Sequence, residues 1–473
     1  MDSGSTAWIL ASTAAVSLMV PGLALFYGGM VTAKSVLNMI MMTFGSVAVV
    51  GCIWILYGYS AVFGNSLGGA GLLGDVGEYL GMKGVIADDP HAVIPAAVFA
   101  AFQALFAALT TALICGAIAD RMKFRAWMVF SGVWVTLVYL PVAHWVFAFD
   151  GKGVVGGWIV NKLHAVDFAG GTAVHINAGA AALALVLVLG RRVGWPARLS
   201  RPHNLPFVML GAGILWFGWF GFNGGSALAA GNAASVVVLN TFAATCSALL
   251  AWLAVEKIRD GHATSLGGAS GAIAGLVAIT PSCGAVSPVG ALVLGAIGGA
   301  VCALAVGLKY RFGFDDSLDV IGVHLVGGVV GTVLIGVLGT AQAPSGRDGL
   351  LYGGGLALLG EQTVGALAVL LYSFGVTWLI AKALDKVMGG IRVSPETERE
   401  GLDIRLHAES AYELTGAPGT GAVPREAPHP AGAVASTAGE GARAGAVPAA
   451  GEGAPAGGQE GSPAGDLTSA APS

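Results

Sequence analysis

Apolar residues in this chain come neither in alternation nor in a one-sided helical stripe, but in long, nearly unbroken runs. Eleven such runs, at about 6–30, 38–63, 93–119, 126–149, 169–189, 207–226, 235–255, 265–281, 288–308, 320–340 and 360–384, are separated by polar or turn-rich breaks. At about 1.5 Å of rise per residue, roughly 20 apolar residues in a helix cross about 30 Å of hydrocarbon. The pattern therefore predicts an all-α polytopic membrane protein with eleven transmembrane helices. The first run follows Met1-Asp2-Ser3-Gly4-Ser5, which carries no basic residue. A secretory leader needs a positive start and a shorter apolar core, so this run is expected to remain as a spanning helix.

Lys and Arg fall in alternate breaks: Lys34; Arg121, Lys123 and Arg125; Arg191, Arg192, Arg198 and Arg201; Lys257 and Arg259; Lys309 and Arg311. The other breaks hold only Lys83, Lys152, Lys162 and Arg347. Basic loops stay cytoplasmic, which puts the N-terminus outside and the C-terminus inside. Residues 1–390 are thus expected to form a membrane domain. Residues 391–415 are charged and expected to form an ordered cytoplasmic segment. From 416 to 473 the chain is largely Ala, Gly, Pro, Ser and Glu with no aromatic residue; it cannot bury enough apolar surface to offset its ordering entropy, and disorder is expected.

Composition narrows the function classes. Of 473 residues, 55% are hydrophobic and 11% charged, and the mean hydropathy is +0.76. Soluble domains carry about 25% charged residues. A formal charge of −4 argues against nucleic-acid binding, which needs a basic face. The five cysteines, Cys52, Cys115, Cys246, Cys283 and Cys302, form no CxxC pair. They read as buried, reduced small hydrophobes, and neither a metal site nor a cofactor is suggested.

Two segments recur. The first run ends Phe26-Tyr27-Gly28-Gly29 and the sixth Phe222-Asn223-Gly224-Gly225; the fifth holds Val174-His175-Ile176-Asn177-Ala178-Gly179 and the tenth Val323-His324-Leu325-Val326-Gly327-Gly328. Both pairs lie five runs apart. Five is odd, so the second half would lie inverted relative to the first, a 5+5 repeat with one extra helix. Inverted repeats place a transport site near the midplane, between the halves. Glycines at four-residue spacing, Gly267, Gly271 and Gly275 among them, read as close helix packing.

His175 and His324 stand deep in apolar runs, where ionisable groups are rare and face a pathway or one another. A lone buried histidine is explained by packing, but equivalent positions in two inverted halves would bring these rings together. Shielded from water, both stay neutral, because burial disfavours the charged form. A neutral pair shares one hydrogen and lines a narrow pore with a donor and an acceptor, which suits a small neutral molecule and not a permanent cation. Asp167 and Asp319 lie near the starts of the same two helices, and helix capping accounts for Asp167. Trp219, Phe222 and Ser226 fall at i, i+3 and i+7 on one helix face, and Phe102 and Phe106 at i and i+4 beside Gln103. Such a stripe is core packing or an interfacial belt, or else a vestibule for a cation, since desolvated cation–π contacts are worth about 2 kcal/mol or more. A cation recruited there has to lose a proton before it reaches the histidines.

These residues resemble the ammonium transporter family (Amt/Mep/Rhesus), and within it the bacterial Amt branch, from about Ala7 to Tyr412. The resemblance is carried by Pro21-Gly22-Leu23-Ala24-Leu25-Phe26-Tyr27-Gly28-Gly29, by Asp167-Phe168-Ala169-Gly170-Gly171-Thr172-Ala173-Val174-His175-Ile176-Asn177, by Gly218-Trp219-Phe220-Gly221-Phe222-Asn223-Gly224-Gly225-Ser226, and by Asp319-Val320-Ile321-Gly322-Val323-His324. It implies a homotrimer in the cell membrane, with one pore per protomer. It also implies that His175 and His324 are twin pore histidines, Phe106 and Phe222 a stacked gate, and Ser226 an acceptor at an outer cation site. Asp167 would support that site and Trp219 would stand nearby in the pore wall. Ammonium would be deprotonated near the gate and ammonia passed along the histidines. After Ala143-His144-Trp145-Val146 the chain has Phe147 where the family's outer site often has tryptophan; Trp145 is two residues away and cannot face the same way on a helix. The resemblance thus implies recruitment at Phe147, Trp219 and Ser226, gating by Phe106 and Phe222, and conduction past His175 and His324. Glu400-Gly401-Leu402-Asp403 and His407-Ala408-Glu409-Ser410-Ala411-Tyr412 resemble the family's cytoplasmic coupling segment, with Ala408 where glycine is usual. By resemblance that segment links protomers, and the cytoplasmic face docks a trimeric PII-type signalling protein.

Two rivals to transport follow from the same residues. One is an ammonium sensor whose main output runs through 391–415; a transport-dead variant that still signals would favour it. The other is a membrane enzyme using the two histidines as metal ligands, but no Glu or Cys lies close in sequence to either, and no HExxH occurs.

Overall fold

The computed structural model describes residues 1–412 except 88, 90 and 198–200. The tail expected at 416–473 and the last three residues of the 391–415 segment lie outside the described residues. Among the described residues there is no β-strand, only four isolated bridges. The main helices are α1 (Ser3–Met30), α2 (Val36–Phe63), α3 (Ala96–Ile118), α4 (Phe124–Phe147), α5 (Gly171–Leu189), α6 (Leu205–Gly225), α7 (Asn232–Asp260), α8 (Ser265–Ile279), α9 (Pro288–Phe312), α10 (Ile321–Leu338) and α11 (Ala357–Val387). Ten of them are long and apolar enough to cross a membrane. The exception is α8, whose 15 residues make about 22 Å of helix where the sequence predicts a full span. Twelve of those residues are buried, and the turn after it, including Thr280, Ser282 and Cys283, is buried too. Irregular backbone is tolerated at membrane depth when protein covers it, so α8 has no need of the full length.

Glycine sets how closely the helices approach. Gly267, Gly271 and Gly275 face Glu256, Trp252 and Ala248 in turn, one stripe of α8 running down α7; a Cβ on Gly271 or Gly275 would meet side-chain carbons at 2.7 and 2.6 Å. Cys115, Cys283 and Cys302 are buried as expected, but Cys52 is exposed and Cys246 half-buried: these two sit on outward helix faces, where an apolar run gives no warning of direction.

The two histidine-bearing helices share a design. Each opens with a wide π-helical turn, Gly171–Ile176 in α5 and Ile321–Leu325 in α10, and each turn packs against the body of the other helix. The glycine four residues beyond each histidine makes this closeness feasible. A Cβ on Gly179 would lie 2.5 Å from the Leu325 nitrogen, and one on Gly328 3.1 Å from the Cβ of His175.

Beyond α11 the chain folds back over one end of the bundle. Val393 N–H donates to the Arg121 carbonyl and Lys123 N–H to that of Ile391, both at 2.9 Å. After a short helix, α12 (Pro395–Glu400), the Asp403 carboxylate accepts from the N–H groups of Leu37 (3.0 Å) and Asn38 (2.7 Å), capping the first turn of α2. The Lys34 ammonium reaches the Arg399 carbonyl, and His203 Nε2 meets the Tyr412 hydroxyl at 2.9 Å. Ala408, closing the turn Asp403–His407, has φ +55° and ψ +31°. The left-handed region costs an L-residue about 1–2 kcal/mol, which is why glycine suits this position.

Gly179→Ala should destabilise the protein by about 1–3 kcal/mol through overpacking, read as a lowered thermal midpoint in detergent. Gly375→Ala, on α11 with open space around it, should leave the midpoint unchanged or slightly raised. Ala408→Gly should relieve about 1 kcal/mol of strain and slow amide exchange in residues 402–412 by about fivefold; unchanged exchange would mean that the strain is not felt.

Candidate functional site

The site begins with two carboxylates that hold the π turns. Asp167 accepts hydrogen bonds from the N–H groups of Gly170 (2.8 Å), Gly171 (2.7 Å) and Thr172 (2.8 Å) and from the Thr172 hydroxyl. The backbone can wrap the carboxylate in this way because Gly170 takes φ +115°, a conformation that L side chains rarely adopt. Eight residues later comes His175. In α10 the matching anchor is Asp316, eight residues before His324, which accepts from Val320 N–H (3.1 Å) and Ile321 N–H (2.7 Å). Burial, with Asp319 alongside, raises the Asp316 carboxyl above the usual range, while Lys309 opposes the rise. The equal offset of eight was present in the sequence; Asp319 draws attention first because it lies closer to the histidine. Asp319 instead pairs with the Lys309 ammonium at 2.6 Å.

The imidazoles of His175 and His324 meet Nδ1 to Nδ1 at 3.3 Å, with ring centroids 5.3 Å apart and planes 25° from parallel. Both are buried, 1% and 4% exposed. A contact between two ring nitrogens needs one N–H and one lone pair, so one hydrogen lies between them. Among the described residues, His175 Nε2 has no hydrogen-bond partner. Trp219 stacks on His175 at 5.5 Å and is fixed by its Nε1–H donating to Thr280 Oγ1 at 2.8 Å. Around them, between Leu215, Trp219, Phe222 and the histidines, lies a slit of about 20 Å³.

A stacked pair of rings closes one end of the slit. Phe106 and Phe222 lie 4.0 Å apart at 25°. Phe222 lines the slit and Phe106 lines a much wider cavity of about 740 Å³ on the far side. Phe147, edge-on to Phe106 at 6.5 Å, also lines this cavity, together with Gln103, Asp167 and Ser226. The Ser226 hydroxyl donates to the Phe222 carbonyl at 2.8 Å, which leaves its oxygen free to accept. Phe102 backs Phe106 edge-on at 5.0 Å. At the other end of the slit, His324 borders a chamber of about 30 Å³ that Ser270 and Asp319 also line.

Of the residues singled out from sequence, His175, His324, Phe106 and Phe222 come together, and Phe147, Ser226 and Asp167 share the wide cavity. Trp219 does not join that group: it stands beyond the phenylalanine pair, against His175. Trp145 points elsewhere, tilted at 58° against Tyr372 with ring centroids 4.7 Å apart and donating to the Leu72 carbonyl at 2.8 Å. His144 is buried, its Nδ1 2.6 Å from the Val62 carbonyl. The sequence reading missed His164 in the wall of the wide cavity and Gln362, a buried amide discussed below. A polar residue inside the eleventh apolar run was the only signal for the latter.

A polytopic helical bundle, with paired histidines in a narrow slit closed at one end by stacked phenylalanines, is the architecture of a membrane conduit. Residues 7–412 match the model of the Ammonium Transporter Family. A relative from Mycobacterium tuberculosis, strain H37Rv, called "Ammonium transporter", is 56% identical over 447 residues, covering 90% of this chain and 93% of its own. The crystal structure of Saccharomyces cerevisiae Mep2 superposes with a TM-score of 0.76 at 35% identity, over 84% of this chain and 88% of that one. A structure described as "Sensor Amt Protein" gives 0.78 at 29% identity, over 85% and 98%. The chain belongs to the ammonium transporter family, and is a multi-pass plasma-membrane protein.

Proposed function

We propose that this protein carries ammonium across the membrane as ammonia. The ion is recruited in the wide cavity by Phe147 and Ser226, with Asp167 holding the wall. It gives up its proton to water in the wide cavity, beside the Phe106–Phe222 gate, and ammonia passes His175 and His324 with Trp219 as the slit's wall. The observation that carries this reading is the size of the slit around the 3.3 Å histidine contact. About 20 Å³ holds roughly one water-sized molecule, so no ion passes with its hydration shell. Stripping a small ion costs several kcal/mol even after relaxation, and aromatic faces return about 2 kcal/mol. Ammonium can escape this deficit by leaving a proton behind; potassium, of similar size, cannot. Ammonia both donates and accepts, and the unpartnered His175 Nε2 offers it a place to do so.

Around this core the reading extends to eleven spans, counting α8 with its buried turn, as a 5+5 inverted repeat plus α11. The N-terminus lies outside and the C-terminus inside. Support for this orientation comes from the basic loops at Lys34, Arg121 and Lys123, which bond to residues 391–399 on one side of the bundle. Residues 1–390 form the transport domain and 391–415 a coupling segment. In this reading the protein is a homotrimer, and its cytoplasmic face takes a PII-type signalling protein. Transport is preferred to a purely sensory role because a sensor has no use for a slit that continues beyond the binding cavity.

Replacing both His175 and His324 with Ala should abolish ammonium-selective uptake into proteoliposomes, read as internal alkalinisation, or admit potassium, while native mass spectrometry shows unchanged assembly. Undiminished selective uptake would sink the histidine mechanism. Phe147→Trp should lower the apparent KM for ammonium by about threefold, the gain of a stronger cation–π face at a solvated site, with maximal flux little changed.

A further inference from the structure

The last long helix, α11, has no counterpart in the two matching halves of the sequence, and none of its side chains lines the slit or either chamber. Yet it carries a fully buried amide, Gln362. Its Oε1 accepts from Val166 N–H at 2.6 Å. Its Nε2 donates to the Val166 carbonyl at 2.7 Å and to the Thr332 carbonyl at 3.1 Å. Val166 immediately precedes Asp167, the carboxylate that holds the turn of His175. Thr332 lies on α10, eight residues beyond His324. One side chain therefore ties the approach to the first histidine to the helix of the second.

Neighbouring contacts act on the same segment. Glu361 pairs with Arg347 at 2.6 Å, and Arg347 donates to the His164 carbonyl at 3.0 Å. Eleven residues further along α11, about 16 Å, the Ser373 hydroxyl donates to Asn177 Oδ1 at 2.7 Å, two residues past His175. Asn177 in turn donates to the Ala173 carbonyl at 3.1 Å. The helix thus grips the His175 segment before and after the histidine. A bond from one helix to another would serve general cohesion. Gripping both the N–H and the C=O of one loop residue fixes the orientation of its peptide planes, in the kind of segment that is otherwise most free to move.

We propose that α11 is a splint for the His175 segment and that Gln362 is a positioning residue, setting where Asp167 and Val166 stand in the wall of the wide cavity and so how strongly ammonium is recruited. This rests on the transport reading above. The test is ammonium chloride titration of the full chain in proteoliposomes, alongside thermal unfolding in detergent. Gln362→Met keeps length and bulk but removes all three hydrogen bonds; apparent KM should rise about tenfold, more than maximal flux falls. Glu361→Gln, at a partly exposed pair, and Ser373→Ala should each raise KM by a smaller factor, and they carry the test if Gln362→Met fails to fold. A lowered thermal midpoint with KM unmoved in every variant that folds would overturn the proposal and leave Gln362 as glue. Wild-type protein that passes no ammonium would overturn the transport reading itself, and this inference with it.

Discussion

Two ring nitrogens 3.3 Å apart, in a slit with room for about one small molecule, set the demands that the rest of the bundle meets. Such a contact survives only within a few tenths of an ångström, since a hydrogen bond weakens steeply with distance and angle. The rings come from two different helices, so the helices must cross closely and not slide. Gly179 and Gly328 permit the crossing, each lying against the segment that carries the other histidine. The π turns widen the backbone where the rings emerge, in keeping with the frequency of such turns at functional sites.

The first turn of each histidine helix leaves backbone N–H groups without an intrahelical partner. Asp167 and Asp316 answer this with carboxylates, which accept several bonds at once and bind backbone N–H more strongly than neutral acceptors do. Their placement differs. Asp316 is sealed, 1% exposed, whereas Asp167 opens onto the wide cavity. One anchor is therefore purely internal, while the other brings its charge to where a cation would arrive.

Much of this was legible in sequence because membrane spans are declared by run length alone, and because equivalent histidines in two halves are hard to explain by packing. Two kinds of feature were not. Helical spacing reports a face but not a height: Trp219 and Ser226 share a face of α6, yet seven residues of rise separate them by about 10 Å, and Phe222 between them divides slit from cavity. Trp219 therefore reads as part of the recruiting surface until the stacked phenylalanine pair is seen. Burial was the other blind spot. Nothing in the sequence says that α8 is covered by protein and so can stop short, that Cys52 faces outward, or that Gln362 is spent on backbone groups of a loop almost 200 residues away.

The two ends of the slit differ in ways that give it direction. Both histidine helices are anchored eight residues upstream, yet the Phe106–Phe222 pair and a cavity of about 740 Å³ stand at one end. At the other there is a chamber of about 30 Å³ with an acidic side chain held by Lys309. Wide and aromatic, the first can hold a hydrated cation and exchange its water shell gradually for ring faces and the Ser226 oxygen. The second offers no room for a shell and a carboxylate already neutralised by an ammonium group. A charged solute therefore gains something at only one mouth, while a neutral one meets similar walls from either. In the proposed pathway it is this difference in the entrances, and not the nearly symmetric histidine pair, that selects which form of the substrate reaches the slit.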